Sequence, residues 1–215
     1  MEWLYERPRS LGRRSGDILI DRQTFDRIVK ATPAHIHQDV EEFWKFLEIA
    51  NPINPQRILE IGVCHGGTTL FFQEMGEQVI GLDYHKGLHP KLYASPLGLA
   101  GGIPDEQFHN VEFVIKDSHD SATLEIIKSK MPEIDLLFID GDHTYSGCKM
   151  DWEMYSPLVR LGGIVAFHDT NYGRHQDPDS AIKSGQVFDE IVGCRKQEIT
   201  DVHGIGIVWV GQEPT

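Results

Sequence analysis

Hydrophobic residues recur every three or four positions over residues 38–50. Val40, Phe43, Trp44 and Leu47 fall on one stripe, and charged residues occupy most of the positions between them. This spacing matches the 3.6 residues per turn of an α-helix with one buried face. The sequence therefore predicts an amphipathic helix over residues 38–50, ended by the turn-rich segment NPINPQ.

Short apolar runs bounded by turn residues follow this helix. They are RILEIG (57–62), QVIGLD (78–83), VEFVIKD (111–117), IDLLFID (134–140) and GGIVAFHD (162–169). Runs of this length are typical of strands buried on both faces of a sheet. Four of the five end in an aspartate: Asp83, Asp117, Asp140 and Asp169.

Segments of helical length lie between or after these runs. They cover residues 68–76, 121–130, 146–159 and 180–192. Strands that alternate with helices indicate parallel pairing through helical crossovers, and hence an open α/β sheet with helices on both faces. The last apolar stretch, residues 204–210, follows QEIT through DVHG and predicts a terminal hairpin.

The chain of 215 residues has the length of one domain with additions. We expect residues 1–50 to form an N-terminal helical extension or lid, and residues 51–215 to form the main domain. Residues 85–107 are rich in Gly and Pro and are too long for an ordinary connection. A lid or specificity loop and an irregular insertion both remain open for this stretch.

The terminal aspartates are expected to gather at one edge, because open parallel sheets bind ligands outside the carboxyl ends of their strands. Any one of them taken alone is well explained as a helix cap or turn residue. Four successive strands that end in this way favour a binding site.

The first run leads into a glycine turn, EIGVCHGG, which starts at Glu60. It resembles the dinucleotide fingerprint GxGxxG, but Cys64 replaces the second glycine, which weakens a pyrophosphate interpretation. The acid at Glu60 suits a cationic ligand. Asp83, at the end of the next strand, is placed to accept hydrogen bonds from ribose hydroxyls. A ligand with a nucleoside, a positive charge and no pyrophosphate is S-adenosylmethionine.

The motifs LEIGVCHGGTT, VIGLD, VEFVIKDS and IDLLFIDGDHTYSGCKMDWEMYSPLVRLGGIVAFHDT occur in order over residues 56–170. In this order they resemble class I S-adenosylmethionine-dependent methyltransferases. The resemblance is strongest to a small-molecule O-methyltransferase branch that includes macrolide-sugar O-methyltransferases and the family labelled cephalosporin hydroxylase. It implies a Rossmann-like, seven-stranded, mostly parallel sheet with an antiparallel last strand. The cofactor-binding residues that it implies are Glu60, Gly62, Cys64, Gly66, Asp83, Asp117, Ser118 and Asp140.

The same resemblance implies a divalent metal beside the methyl donor, Mg²⁺ or Mn²⁺, held by Asp140, His168 and Asp169. It also implies that His143 is the general base, since imidazole is suited to proton removal near neutral pH. His168 stands where the relatives usually carry a carboxylate, and imidazole is a poor Mg²⁺ ligand. A softer metal such as Mn²⁺ or Fe²⁺, a His168 that faces away, and the absence of a metal all remain open.

Charge and cysteine content restrict the partners. Lys and Arg number 20 against 33 Asp and Glu, a formal charge of −13 that disfavours nucleic acid. No run approaches the roughly 18 apolar residues of a membrane span, and no secretory signal pattern is seen, so we predict a cytoplasmic protein with no membrane partner. The three cysteines lack metal or disulfide spacing and are predicted to be free thiols.

A small-molecule acceptor, with a sugar or a natural product as its class, is the expected partner, and a homo-oligomer remains open. The arginines at positions 7, 9, 13 and 14 suit either an anionic substrate or a solvated arm. His35 and His37 alternate along the chain, but no third ligand is identifiable near them, so a surface loop is predicted. An NAD-dependent oxidoreductase and a non-catalytic nucleoside-binding protein are the alternative functions.

Overall fold

The computed structural model describes residues 19–32, 36–84, 107–172 and 180–214. The arginine cluster, His35 and residues 85–106 lie outside these ranges, so the predictions for them stay predictions. The division into residues 1–50 and 51–215 also stays a prediction.

Within the described ranges, seven strands form one sheet. They are β1 (Arg57–Ile61), β2 (Gln78–Asp83), β3 (Val111–Ile115), β4 (Ile134–Ile139), β5 (Val159–His168), β6 (Arg195–Ile199) and β7 (Ile205–Trp209). Their order across the sheet is β3-β2-β1-β4-β5-β7-β6, and β7 runs antiparallel to both of its neighbours. The predicted α/β sheet with an antiparallel last strand and a terminal hairpin is confirmed.

Six α-helices are seen in the same parts of the chain. They are α1 (Arg22–Ala31), α2 (Val40–Ala50), α3 (Gly67–Met75), α4 (Ser121–Lys130), α5 (Tyr145–Tyr155) and α6 (Ser184–Glu190). Side-chain caps from Asp21, Asp39, Asp120 and Thr144 fix where α1, α2, α4 and α5 begin. None of the helices in these ranges has the length and apolar character needed to cross a membrane.

The bounds of four elements differ from the prediction. Helix α5 ends at Tyr155, where a short 3-10 turn that contains Pro157 follows, and β5 then begins at Val159, before the predicted 162. Helix α6 begins only at Ser184. Strand β3 ends at Ile115, so Asp117 lies in the following turn rather than at the strand end.

Two hydrophobic cores cover the two faces of the sheet. One joins α1, α2 and α3 to residues such as Ile58 and Phe138, and the other joins α4, α5 and α6 to residues such as Leu59 and Leu137. Neighbouring residues of a strand point to opposite faces, so Ile58 and Leu59 enter different cores. The carboxyl ends of β1, β2, β4 and β5 are thereby held at one edge of the sheet.

Candidate functional site

The glycine turn connects β1 to α3. Gly62 has a φ of 89°, Cys64 a φ of 49° and Gly66 a φ of 79°, so three of its residues adopt the left-handed region. A Cβ added to Gly62 would lie 2.1 Å from the carbonyl oxygen of Asp140. Glycine is therefore required at position 62 by the close approach of the turn to the end of β4, in addition to any approach of a ligand.

Asp83 ties the end of β2 to this turn. Its Oδ2 accepts hydrogen bonds from the backbone N–H groups of Val63 and Cys64, both at 2.8 Å. The carboxylate thus sets the path of the turn. Its predicted contact with ribose hydroxyls stays a prediction.

Glu60 lies beneath the turn, fully buried. The hydroxyls of Thr68 and Thr69, in the first turn of α3, donate to its two carboxylate oxygens. Burial raises the pKa of Glu60 to about 8, although the two hydroxyls oppose the shift; Asp140 and Asp83 add to it. Glu60 supports the turn from below and does not line the cavity described next.

Exchanging Glu60 for glutamine is expected to flatten the pH dependence of stability. The folded-state pKa of about 8 lies above the ordinary 4.5, so this group's contribution is full below pH 4.5 and is lost as the pH rises through 8. The free energy of unfolding of wild type should therefore fall, relative to Glu60→Gln, by a few kcal/mol across this window. Urea titrations at several pH values measure the difference. Parallel profiles for the two proteins would contradict it.

A cavity of about 310 Å³ lies between the glycine turn and the carboxyl ends of β4 and β5. Six of the residues that line it were predicted as site residues: Gly62, Cys64, Asp140, His143, His168 and Asp169. Asp117 and Ser118 lie elsewhere: Asp117 accepts from the N–H of His119 at 3.0 Å, and the Ser118 carbonyl accepts from the Tyr155 hydroxyl at 2.8 Å. Gly66 is buried within the turn and does not line the cavity.

Two carboxylates and an imidazole converge at the β4 and β5 end of the cavity. Asp140, His143 and Asp169 each offer one ligand atom, and these atoms all lie within 4.8 Å of one another. His143 Nδ1 is 3.6 Å from Asp169 Oδ2, and His143 Nε2 is 4.0 Å from Asp140 Oδ1. This arrangement is suited to a divalent cation or to a base flanked by two acids.

His168, the predicted third metal ligand, contacts Asp140. Its Nδ1 lies 2.9 Å from Asp140 Oδ1, and its ring is buried. Burial alone would lower its pKa, but the charges of Asp140 and Asp169 and the hydrogen bond to Asp140 raise the pKa to about 9. The contact fixes the orientation of the Asp140 carboxylate, and the role of His168 as a metal ligand stays a prediction.

Asp140 is held on both sides. Gln38 Nε2 donates to its Oδ2 at 2.7 Å, opposite the His168 contact. Burial would raise its pKa, yet the pKa lies below its usual value because His168, His143 and Gln38 stabilise the charged form. The carboxylate at the end of β4 is therefore ionised and fixed in orientation.

His203 lines the cavity and was missed in the sequence, as was Glu42, which holds its loop. His203, in the loop after β6, has Nδ1 3.8 Å from Asp169 Oδ1 and stacks beside Tyr172. The buried Glu42 of α2 holds this loop by accepting from the N–H groups of residues 202–204 at 2.9 to 3.1 Å. No pattern in the sequence identified Glu42, because its partners lie about 160 positions away along the chain.

A family model described as a methyltransferase domain matches residues 59–170, just over half of the chain. The chain belongs to this methyltransferase family. The matched residues contain the glycine turn, Asp83 and the cluster of Asp140, His143 and Asp169. The resemblance found in the sequence is thus confirmed at the level of the family.

Curated relatives are similar over part of the chain. A rhamnosyl O-methyltransferase of Mycobacterium bovis is 25% identical over 148 residues, which cover 64% of this chain and 55% of the relative. An uncharacterized protein, R132, of Acanthamoeba polyphaga mimivirus is 38% identical over 122 residues, which cover 52% of this chain and 50% of that protein. The chain therefore spans about half the length of these relatives.

Solved structures share the fold of this family member. The MycE methyltransferase of mycinamycin biosynthesis, in complex with Mg, SAH and mycinamycin VI, gives a TM-score of 0.57 at 19% identity, covering 89% of this chain and 57% of MycE. An O-methyltransferase of Bacillus cereus in complex with SAH gives a TM-score of 0.60 at 17% identity, covering 88% of this chain and 92% of that chain. At these identities the likeness shows the fold alone.

Proposed function

We propose that this protein transfers the sulfonium methyl group of S-adenosylmethionine to a hydroxyl group of a small acceptor. A divalent cation at Asp140 and Asp169 assists, and the acceptor is a sugar or a sugar-bearing natural product. The observation that carries the proposal is the convergence of Asp140, His143 and Asp169 in the cavity that the glycine turn also lines.

The donor set fits a hard or intermediate cation. Two carboxylates supply oxygen ligands, which suit Mg²⁺ and Mn²⁺, and the neighbouring imidazole is tolerated better by Mn²⁺. When bound, such a cation acts as a Lewis acid toward an oxygen nucleophile. Asp140 is prepared for it because His168 and Gln38 fix the orientation of its carboxylate.

His143 is placed to take the proton of the acceptor hydroxyl. Its ring lines the cavity, with Nε2 4.0 Å from Asp140 Oδ1 and Nδ1 3.6 Å from Asp169 Oδ2. Its backbone carbonyl accepts from the Lys183 N–H at 2.7 Å, which anchors the turn after β4 to the start of α6. Attack on the methyl group then depends mainly on holding the two reactants in line.

The relatives support the acceptor class without fixing it. Rhamnosyl O-methyltransferases from several mycobacteria are similar over 64% of this chain. We propose a deoxysugar or a related vicinal diol as the first acceptor to assay. Methyl transfer from labelled S-adenosylmethionine, with chelator and then with Mg²⁺ or Mn²⁺, tests the function. Cofactor binding without transfer to any hydroxylated acceptor, under any of these metals, would favour the non-catalytic nucleoside-binding alternative.

Replacing Asp83 by alanine is expected to weaken S-adenosylmethionine binding at least about a hundredfold. The substitution removes two hydrogen bonds that order the glycine turn and the proposed ribose contact, each worth about 1.5–3 kcal/mol to a charged acceptor. Isothermal titration calorimetry measures the affinity. Asp26→Ala, on the exposed face of α1, is the matched control and should bind as wild type does. Unchanged affinity in Asp83→Ala would remove Asp83 from the cofactor site, and no binding by wild type would refute the proposed function.

A further inference from the structure

A second group of metal-ligating side chains lies on the other side of the cavity. His37, just before α2, meets Cys64 and His65 of the glycine turn, and one ligand atom from each lies within 4.8 Å of the other two. His37 Nε2 is 3.1 Å from His65 Nδ1, and the two rings meet edge to face with centroids 4.6 Å apart. The fold supplies the partners for His37 that could not be identified in the sequence.

The donors of this group differ in kind from those of the Asp140 cluster. Two imidazole nitrogens and one thiolate form a set that Zn²⁺ and similar metals prefer over Mg²⁺. Ligand bonds of about 2.0–2.1 Å in a tetrahedral site place two nitrogens about 3.3 Å apart, close to the observed separation of 3.1 Å. Three protein ligands leave the fourth position open to water.

We propose that His37, Cys64 and His65 bind a divalent cation of the Zn²⁺ class, at a site separate from the Asp140 cluster. The nearby carboxylates of Asp83 and Asp140 favour a cation here. Binding forms a sulfur–metal bond and releases the thiol proton to solvent.

Occupation of this site has a consequence for the cavity. His37 and Cys64 both line it, and the next residue, Gln38, donates to Asp140 at 2.7 Å. A cation bound to His37 and the glycine turn therefore ties the segment before α2 to the turn. The bound cation would also hold Gln38, the residue after His37, against Asp140. The proposed Zn²⁺ site is therefore linked to the Asp140 carboxylate through one short stretch of backbone.

Cobalt titration tests the proposal without any assay of activity. Co²⁺ replaces Zn²⁺ in such sites and gives a near-ultraviolet charge-transfer band when sulfur is a ligand. The 215-residue protein, in excess Mg²⁺ to fill the proposed Asp140 cluster, should develop this band on addition of Co²⁺ and lose it on addition of Zn²⁺. Cys64→Ser should abolish the band, and His37→Ala should weaken Co²⁺ binding by at least about tenfold.

Two controls separate this site from other sources of the signal. Cys194→Ser removes another free cysteine and should keep the band, and Asp140→Ala should keep it as well. His37 and Cys64 are exposed, so their variants should fold, which circular dichroism checks. No sulfur band in wild type, a band that survives Cys64→Ser, or a band lost in Asp140→Ala would overturn the proposal.

Discussion

Replacing His143 by glutamine is expected to lower kcat for methyl transfer by about 10²–10⁴-fold, the range for loss of a general base. The side chain is one-third exposed, so the variant should stay folded. S-adenosylmethionine affinity should remain within about twofold, because the polar contacts that the structure shows for the His143 side chain go to Asp140 and Asp169 and not to residues 62–67. Release of S-adenosylhomocysteine, with the acceptor that wild type uses, measures the rate.

The metal affinity of the same variant separates the two roles of His143. If His143 acts as the base, the variant should have the lowered kcat but should bind Mn²⁺ with wild-type affinity. Calorimetry measures that affinity. If it is instead the third ligand beside Asp140 and Asp169, Mn²⁺ affinity should fall at least about tenfold. His109→Gln changes an exposed histidine outside the cavity and is the matched control. A kcat for His143→Gln within about threefold of wild type would remove His143 from the reaction.

The central strands of the sheet were predictable because each is a short apolar run bounded by turn residues. The apolar runs that end at Asp83 and Asp140 are buried on both faces, and their lengths leave little choice other than a central strand. Boundaries were less certain where local and tertiary preferences compete. Residues 159–163 continue the apolar pattern weakly, yet pairing with β4 through an irregular register draws them into β5.

The location of the site was also predictable, but the roles of its residues were not. Parallel topology alone brings Asp140 and Asp169 to one edge. The contact of His168 Nδ1 with Asp140 Oδ1 depends on ring orientation and burial, which no sequence pattern encodes. The contact of Gln38 with Asp140 joins residues 102 positions apart, and it could be found only in the folded chain.

The two aspartates of β4 show why an acid in a buried strand is not evidence of a site by itself. Asp135, at the amino end, accepts from the backbone N–H of Arg57 at 2.8 Å and pairs with the side chains of Arg57 and Arg160. Burial alone would raise the pKa of Asp135, but the two arginines lower it. Asp140 follows the carboxyl end of the same strand, accepts from the side-chain amide of Gln38, lies beside His168 and lines the cavity. Position along the strand therefore separates Asp135, which is held by arginines, from Asp140, which lies in the candidate site.

Gly62→Ala is expected to lower the free energy of unfolding by more than about 4 kcal/mol, a large part of the stability of an ordinary domain. The added Cβ would lie 2.1 Å from the carbonyl oxygen of Asp140 and 2.6 Å from the N of Gly141. Both are backbone atoms at the end of a central strand and cannot turn aside. Any relief must move the glycine turn away from β4, which also displaces the N–H groups that Asp83 holds. Denaturant unfolding measures the loss, and S-adenosylmethionine titration of the surviving fraction measures the damage to the turn.

Gly193→Ala is the matched control, because it isolates the cost of backbone conformation from that of the clash. Gly193 has a φ of 75°, close to the 89° of Gly62, but a Cβ there would meet no atom within 4 Å. Its substitution should lower the free energy of unfolding only by the cost of placing an alanine in the left-handed backbone region, about 1–2 kcal/mol. The excess loss in Gly62→Ala then reports how tightly the glycine turn is packed against β4. Equal losses in the two variants would show that the turn can relax, and that strand packing does not require a glycine at position 62.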